Sequence, residues 1–166
     1  MGKLEGKVAW ITGAGSGIGE ATAHAMAKEG AIVALTGRRK EPLDKVAHAI
    51  EKAGGKALVE PGDVMDKAMA PAVVARIIKA TGRLDVLVNN AGTNVTARTF
   101  AVLTPENLDY VIQANLNGAY YCVLAVLPQM RAQKDGVLIH TSSWAGRYVS
   151  PLSGTAYTAS KHAVVA

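Results

Sequence analysis

The sequence predicts an α/β protein built on a doubly wound parallel sheet. Three observations carry that prediction. Short apolar runs alternate with longer helix-like segments along the 166 residues. The runs are apolar at consecutive positions, the pattern of parallel strands covered on both faces. The composition, 49% apolar and only 19% charged, provides for much buried surface, since charge usually makes up about a quarter of a soluble chain. The length suits a single domain, 1–166, with a real core.

The predicted strands are 7–12 (KVAWIT), 32–36 (IVALT), 56–60 (KALVE), 84–89 (LDVLVN) and 136–141 (GVLIHT). Helical segments lie between them, with recognisable ends. Segment 18–29 is closed by Gly30, a natural C-terminal glycine. Segment 42–53 has proline in its first turn and stops at Gly54-Gly55. Segment 66–81 carries Pro71 early enough to tolerate it. Thr104-Pro105-Glu106 supplies a cap, a first-turn proline and an acid, and opens a long segment to about residue 131. Strand–helix alternation of this kind is the signature of a doubly wound sheet.

Several function classes are disfavoured. The lone Cys122 rules out an internal disulfide framework and fits a reducing compartment, where it reads as a small buried hydrophobe. The N-terminus is too polar for a signal peptide, and no apolar run approaches membrane-spanning length. Gly2 lacks the Ser or Thr at residue 6 that myristoylation requires, because Gly6 stands there. Without a secretion signal, the sequon at Asn94-Val95-Thr96 is fortuitous, and the expected location is cytoplasmic. The formal charge is +5, yet basic residues are scattered apart from Arg38-Arg39-Lys40, and aromatics make up 5%. A stacking platform for nucleic acid is poorly supported. His24, His48, His140 and His162 have no ligand-like spacing, so no metal is expected, and His140 reads as a core histidine on a buried strand.

The stretch TGAGSGIG (12–19) joins the first strand to the first helix, with glycines at 13, 15, 17 and 19. It is neither G-x-G-x-x-G nor a P-loop, but the physics is shared. Glycines allow a tight turn and close backbone approach, and amides at a helix N-terminus face an anion. At the end of the second strand, a dinucleotide site often places an acid on the adenosine ribose hydroxyls. Here Gly37 takes that place, and Arg38 and Arg39 follow. Guanidinium groups suit a ribose phosphate, which favours NADP, with NAD the alternative.

Together these motifs resemble the short-chain dehydrogenase/reductase family along the whole chain, which implies a Rossmann-like, three-layer αβα fold and an NAD(P)-dependent oxidoreductase. The glycine loop resembles the family's cofactor loop, implying contacts from Gly13, Gly15, Ser16, Gly17, Ile18 and Gly19. GDV (62–64) is similar to its adenine-contact turn, bringing in Asp63 and Val64. NNAG (89–92) matches its fourth-strand motif, with Asn89, Ala91 and Gly92. ANLNG (114–118) places Asn115 where the family keeps a catalytic asparagine, SSWAG (142–146) matches its serine motif, and YTASK (157–161) its Y-x3-K. Ser143, three residues before Gly146, is the expected catalytic serine, with Ser142 the rival because the gap to Tyr157 is one residue longer than the commonest family spacing.

The chemistry agrees with the resemblance. Moving a hydride between a carbinol carbon and a nicotinamide requires a group that exchanges the hydroxyl proton. A free phenol titrates near ~10, too high for efficient base work at neutrality. An ammonium one turn away and a helix N-terminus both favour its ionised form. Tyr157 and Lys161 have that spacing, and Ser143 would hold the substrate oxygen against the phenol. The resemblance further implies that Lys161 binds the nicotinamide ribose and that Asn115 fixes a water in a proton relay. Trp144 and Tyr148 are candidates to line the substrate pocket.

The substrate class implied is a secondary alcohol or its ketone. A nucleotide-binding module without chemistry is the alternative. The helix around 119–127 is expected to bury one side and, by resemblance, to pair with a second subunit in a tetramer or dimer. Family members continue past the Y-x3-K helix with further strands and a substrate-covering segment. The chain is therefore expected to be truncated, lacking the final strands and leaving GVLIHT at a sheet edge.

Overall fold

The computed structural model describes residues 2–149 and 151–166. Five strands, β1 (Val8–Thr12), β2 (Ile32–Thr36), β3 (Lys56–Val59), β4 (Val86–Asn89) and β5 (Val137–His140), form one parallel sheet of order β3-β2-β1-β4-β5. Six α-helices alternate with them: α1 (Gly17–Lys28), α2 (Lys40–Lys52), α3 (Met69–Thr81), α4 (Pro105–Ile112), α5 (Gly118–Gln133) and α6 (Thr155–Val165). This is the doubly wound architecture that the alternation predicts.

The consecutive apolar positions feed two cores. Ala9 and Ile11 of β1 and Val33 and Leu35 of β2 pack on one face with Ala23 of α1 and Leu43 and Ile50 of α2. Val8 and Trp10, pointing the other way, pack with Val73 and Ile77 of α3 and with Cys122 and Val126 of α5. Strand side chains alternate between faces, so apolar residues at every position are what two covered faces demand. Trp10 is fully buried, and its indole Nε1 donates to Thr36 Oγ1 at 2.8 Å. At the opposite end of the sheet from the strand C-termini, Asp85 accepts from the Val8 amide at 2.8 Å and from the Arg83 guanidinium at 2.6 and 2.8 Å, joining β1 to β4.

Local chemistry moves several element ends. α3 begins at Met69 rather than residue 66, because the Asp66 carboxylate accepts from the Ala68 amide at 2.9 Å and turns the chain before the helix. Pro71 therefore lies within the first turn. α4 starts as expected: Thr104 Oγ1 accepts from the Asn107 amide and Pro105 takes the first position. The long segment is helical throughout, but residues Gln113–Asn117 form a π-helical turn between α4 and α5.

Three expectations need correction. β5 lies at the sheet edge, as expected, but it is not covered on both faces: it pairs with β4, and Val137, Leu138 and Ile139 are 49%, 37% and 45% exposed. An edge strand has one neighbour, and its outer margin is left open. His140, on the same strand, is consequently exposed rather than in the core. The continuous helical stretch Pro105–Gln133, at 29 residues, is long and apolar enough by composition to cross a membrane, contrary to the expectation that no run reaches that length. Its apolar content includes Cys122, Val126 and Met130, which pack against the sheet as an ordinary core face.

Candidate active site

The chain leaves β1 toward one side of the sheet and β4 toward the other, so the loops after these strands part and open a crevice at their C-terminal ends. Thr12 and Asn90 hold the two lips in register. Thr12 Oγ1 accepts from the Asn90 and Ala91 amides, both at 3.0 Å, and the Asn90 side chain donates to the Thr12 and Gly13 carbonyls at 3.1 and 3.4 Å. Sequence reasoning quoted both residues inside motifs and gave neither a role. The available signal was position, since each adjoins a glycine or alanine that must approach the other loop.

The glycine loop is shaped for close approach. Gly13 has φ 67°, and a Cβ there would stand 3.0 Å from the Ala91 Cα. A Cβ on Gly19 would run into the Gly13 carbonyl oxygen. Beyond the loop, α1 begins without a side-chain cap: Ser16 stands at the capping position, but its hydroxyl makes no capping bond. The first amides of α1 are thus left to an external partner, the arrangement that suits an anion. Ile18 projects beside them, 66% exposed.

Two neighbouring cavities flank this loop. Gly13, Gly15, Ser16, Gly37, Arg38 and Arg39 border one. Gly13, Arg38, Asp63, Val64, Ala91 and Gly92 border the other, together with Met65, Tyr110 and Ala114. Sequence reasoning missed Met65 and Tyr110, which lie in no motif, and Ala114, which opens ANLNG but was given no role there. Asp63 Oδ1 accepts from the Met65 amide at 3.0 Å and so shapes its turn. Asn89 stands apart from both cavities: it is buried, and its amide donates to the Ala119 carbonyl at 3.2 Å, tying β4 to α5. The glycine cradle, the uncapped helix end and the guanidinium groups fit the phosphates and ribose of a dinucleotide.

The second group of residues gathers on α6. Tyr157 is the third residue of the helix and Lys161 follows one turn later, its Nζ 5.7 Å from the phenol ring centroid. Lys161 is 5% exposed, and Nζ donates to the Thr141 carbonyl at 2.8 Å. Burial pulls its pKa below the ordinary lysine value, and among the described residues it has no carboxylate partner. A Cβ on Gly92 would stand 3.2 Å from Asn115 Oδ1 and 3.5 Å from Lys161 Nζ, so Gly92, Asn115 and Lys161 converge on one spot. Asn115 sits in the π-helical turn, 2% exposed, and its side chain accepts from the Thr93 amide at 2.6 Å and donates to the Thr93 carbonyl at 2.9 Å and to Ser160 Oγ at 3.0 Å.

The two serines differ in commitment. Ser142 Oγ donates to the Lys161 carbonyl at 3.1 Å and holds α6 against the end of β5. Ser143 Oγ accepts from the Ala145 amide at 3.2 Å as the cap of a short 3-10 turn, and among the described residues its own proton has no acceptor. Trp144 and Tyr148 stack beside it with ring centroids 4.4 Å apart. Ser143 and the Tyr157 hydroxyl are not hydrogen-bonded to each other. Cys122, far inside the α5 face, has its thiol pushed up to about 12 by burial, which makes it an inert core group.

A parallel sheet with a phosphate-shaped crevice at the divergence of β1 and β4 defines a nucleotide-binding α/β protein. Residues 7–166 match the family described as short chain dehydrogenase, and the chain belongs to that family. It is 42% identical over 164 residues to a 3beta-hydroxysteroid dehydrogenase of Mediterraneibacter gnavus, covering 99% of this chain and 59% of that one. It is 40% identical over 165 residues to the oxidoreductase UcpA of Salmonella typhimurium, covering 99% and 62%. Among solved structures, a metagenomic short-chain oxidoreductase in complex with NADP superposes with a TM-score of 0.92 at 39% identity, covering 98% of this chain and 73% of that chain. An NAD+-bound xylitol dehydrogenase superposes at 0.94 with 32% identity, covering 98% and 62%. The chain spans about three-fifths of the length of these curated relatives.

Proposed function

We propose that this chain forms the cofactor-binding and proton-transferring part of an oxidoreductase that interconverts a secondary alcohol and a ketone, using NADP in preference to NAD. The observation that carries the chemistry is the buried Lys161 ammonium one turn from Tyr157, with no carboxylate partner among the described residues. When bound, the nicotinamide nucleotide supplies or accepts the hydride. Tyr157 donates its hydroxyl proton to the carbonyl oxygen in reduction and removes the carbinol proton in oxidation. The Lys161 ammonium stabilises negative charge as it develops on the phenol oxygen. Ser143, whose proton is uncommitted, hydrogen-bonds the substrate oxygen and aligns it with the phenol. Asn115 fixes the loop after β4 against α6, and so sets the distance between cofactor crevice and proton donor.

The preference for NADP rests on Gly37 at the end of β2, where an acid would repel a ribose phosphate, and on Arg38 and Arg39 beside it at the cavity. The named relatives and neighbours span steroid and polyol dehydrogenases and both cofactors, so the residues of this chain must decide. Parallel calorimetric titration with NADPH and NADH tests the reading. Tighter NADPH binding is expected, and a clear preference for NADH overturns it. Exposed Tyr120 and Leu124 on the outer side of α5 support a homo-oligomer, a tetramer or dimer, measurable by light scattering. Cys122, a free thiol, accords with a reducing cytoplasmic setting.

A further inference from the structure

We infer that Tyr110 is a positioning residue for nucleotide selection: its hydroxyl holds the Arg38 guanidinium at the seam between the two cavities, where it discriminates a nucleotide bearing a phosphate on its adenosine ribose. This rests on the NADP reading above and extends it to a residue outside every motif. Arg38 Nη1 donates to the Tyr110 hydroxyl at 3.2 Å, a side-chain bond between residues 72 apart in sequence, bridging the end of β2 to α4. Arg38 borders both cavities and Tyr110 borders one, so the bond lies on the wall of the second.

The electrostatics point the same way. Among the described residues Arg38 has no acidic partner, and the phenol is its one side-chain hydrogen bond. A guanidinium has five N–H donors in a planar fork. Fixing one of them on a neutral acceptor restrains the rotamers while leaving the charge and the other donors for an anion. Asp63, the carboxylate that borders the same cavity, is engaged with the Met65 amide. A long arginine restrained before binding loses less side-chain entropy when it meets its ligand. Tyr110 thus acts through Arg38, and its effect must appear only with ligands that Arg38 reads.

The test is calorimetric titration of the purified protein with adenosine 2',5'-bisphosphate and with 5'-AMP. Tyr110→Phe keeps the ring and removes only the hydroxyl. The expected result is roughly fivefold weaker bisphosphate binding, the scale of one hydrogen bond, with AMP binding changed less than about twofold. In an Arg38→Met background the same exchange should have no further effect on the bisphosphate. Equal losses on both probes, no loss on either, or a full loss in the Arg38→Met background overturns the inference. Wild-type protein that binds the two probes equally overturns the NADP reading itself. Wild-type protein that prefers the bisphosphate, with Tyr110→Phe keeping that preference in full, overturns only the role of Tyr110.

Discussion

The Asn115 amide donates to the Ser160 hydroxyl at 3.0 Å, and this bond joins the π-helical turn to the helix that carries Tyr157 and Lys161. Ser160 is fully buried, and it passes its own proton to the Tyr157 carbonyl at 2.7 Å. One hydroxyl therefore links the asparagine, the tyrosine's backbone and the start of α6. Ser160→Ala leaves the Asn115 amide with only the Thr93 carbonyl. The expected cost is about 1–2 kcal/mol, a fall of several degrees in Tm for a chain of this size. A thermal melt of the variant checks it, and an unchanged Tm would remove Ser160 from the framework of the site.

Tyr157→Phe separates chemistry from binding. The phenylalanine keeps the ring near Lys161, and the α6 backbone is untouched. If Tyr157 moves the proton, turnover of a ketone should fall by at least ~10²–10⁴, the range associated with general acid–base catalysis. Nucleotide affinity should stay within a small factor, because Lys161, the glycine loop and Arg38 are retained. Steady-state rates beside calorimetry give both numbers, and full turnover in the variant refutes the mechanism.

The glycine loop, NNAG, Asn115 and the Tyr-x3-Lys pair were legible because backbone conformation or chemistry restricts which residues can stand there. Gly13 must avoid Ala91, and Gly19 must avoid Gly13. The two-faced burial of the inner strands was legible too, since adjacent apolar residues such as Val8 and Ala9 face opposite cores. What escaped was anything decided by partners distant in sequence. Tyr110 reads as one more residue of a helix until Arg38, 72 positions away, is placed beside it. Ser160 lay inside a quoted motif, but its tie to Asn115 crosses 45 positions. The edge position of GVLIHT was expected, but the exposure of His140 was not drawn from it, because the apolar run around it reads like that of a buried strand.

Lys161 should leave a mark on stability at high pH. Burial lowers its folded pKa below the ordinary 10.5, and among the described residues no acidic partner opposes the shift. Below the folded pKa the native state holds a buried ammonium, which costs stability, and the unfolded chain binds the proton more tightly. As pH rises through the folded pKa toward 10.5 that cost is relieved, so this residue's contribution grows more favourable. Lys161→Met lacks the titration. Urea unfolding of both proteins between pH 7 and 10 should show the wild type gaining on the variant across that window. Parallel curves would mean that the ammonium is not desolvated.

Asp85 governs the acid side. Its side chain is 3% exposed, and desolvation by itself would raise its pKa. Hydrogen bonds from Arg83 and the Val8 amide, with the charges of Arg83 and Lys7, outweigh that and hold the carboxyl below its ordinary value. A depressed carboxylate contributes stability that is fully present above its unfolded pKa, near ~3.9, and is lost as pH falls through the folded pKa. Asp85→Asn removes the charge while keeping the shape, and it replaces one acceptor oxygen with an amide that confronts the Arg83 and Val8 donors. At pH 7 the expected loss is about 2–3 kcal/mol, between the value of a charged hydrogen bond and that of a broken buried pair. The gap to the wild type should narrow steadily below about pH 4, as the wild-type carboxyl takes up its proton. Denaturant unfolding of the two proteins at neutral and acid pH measures the gap directly, and a gap that stays constant into acid would assign the loss to packing instead of charge.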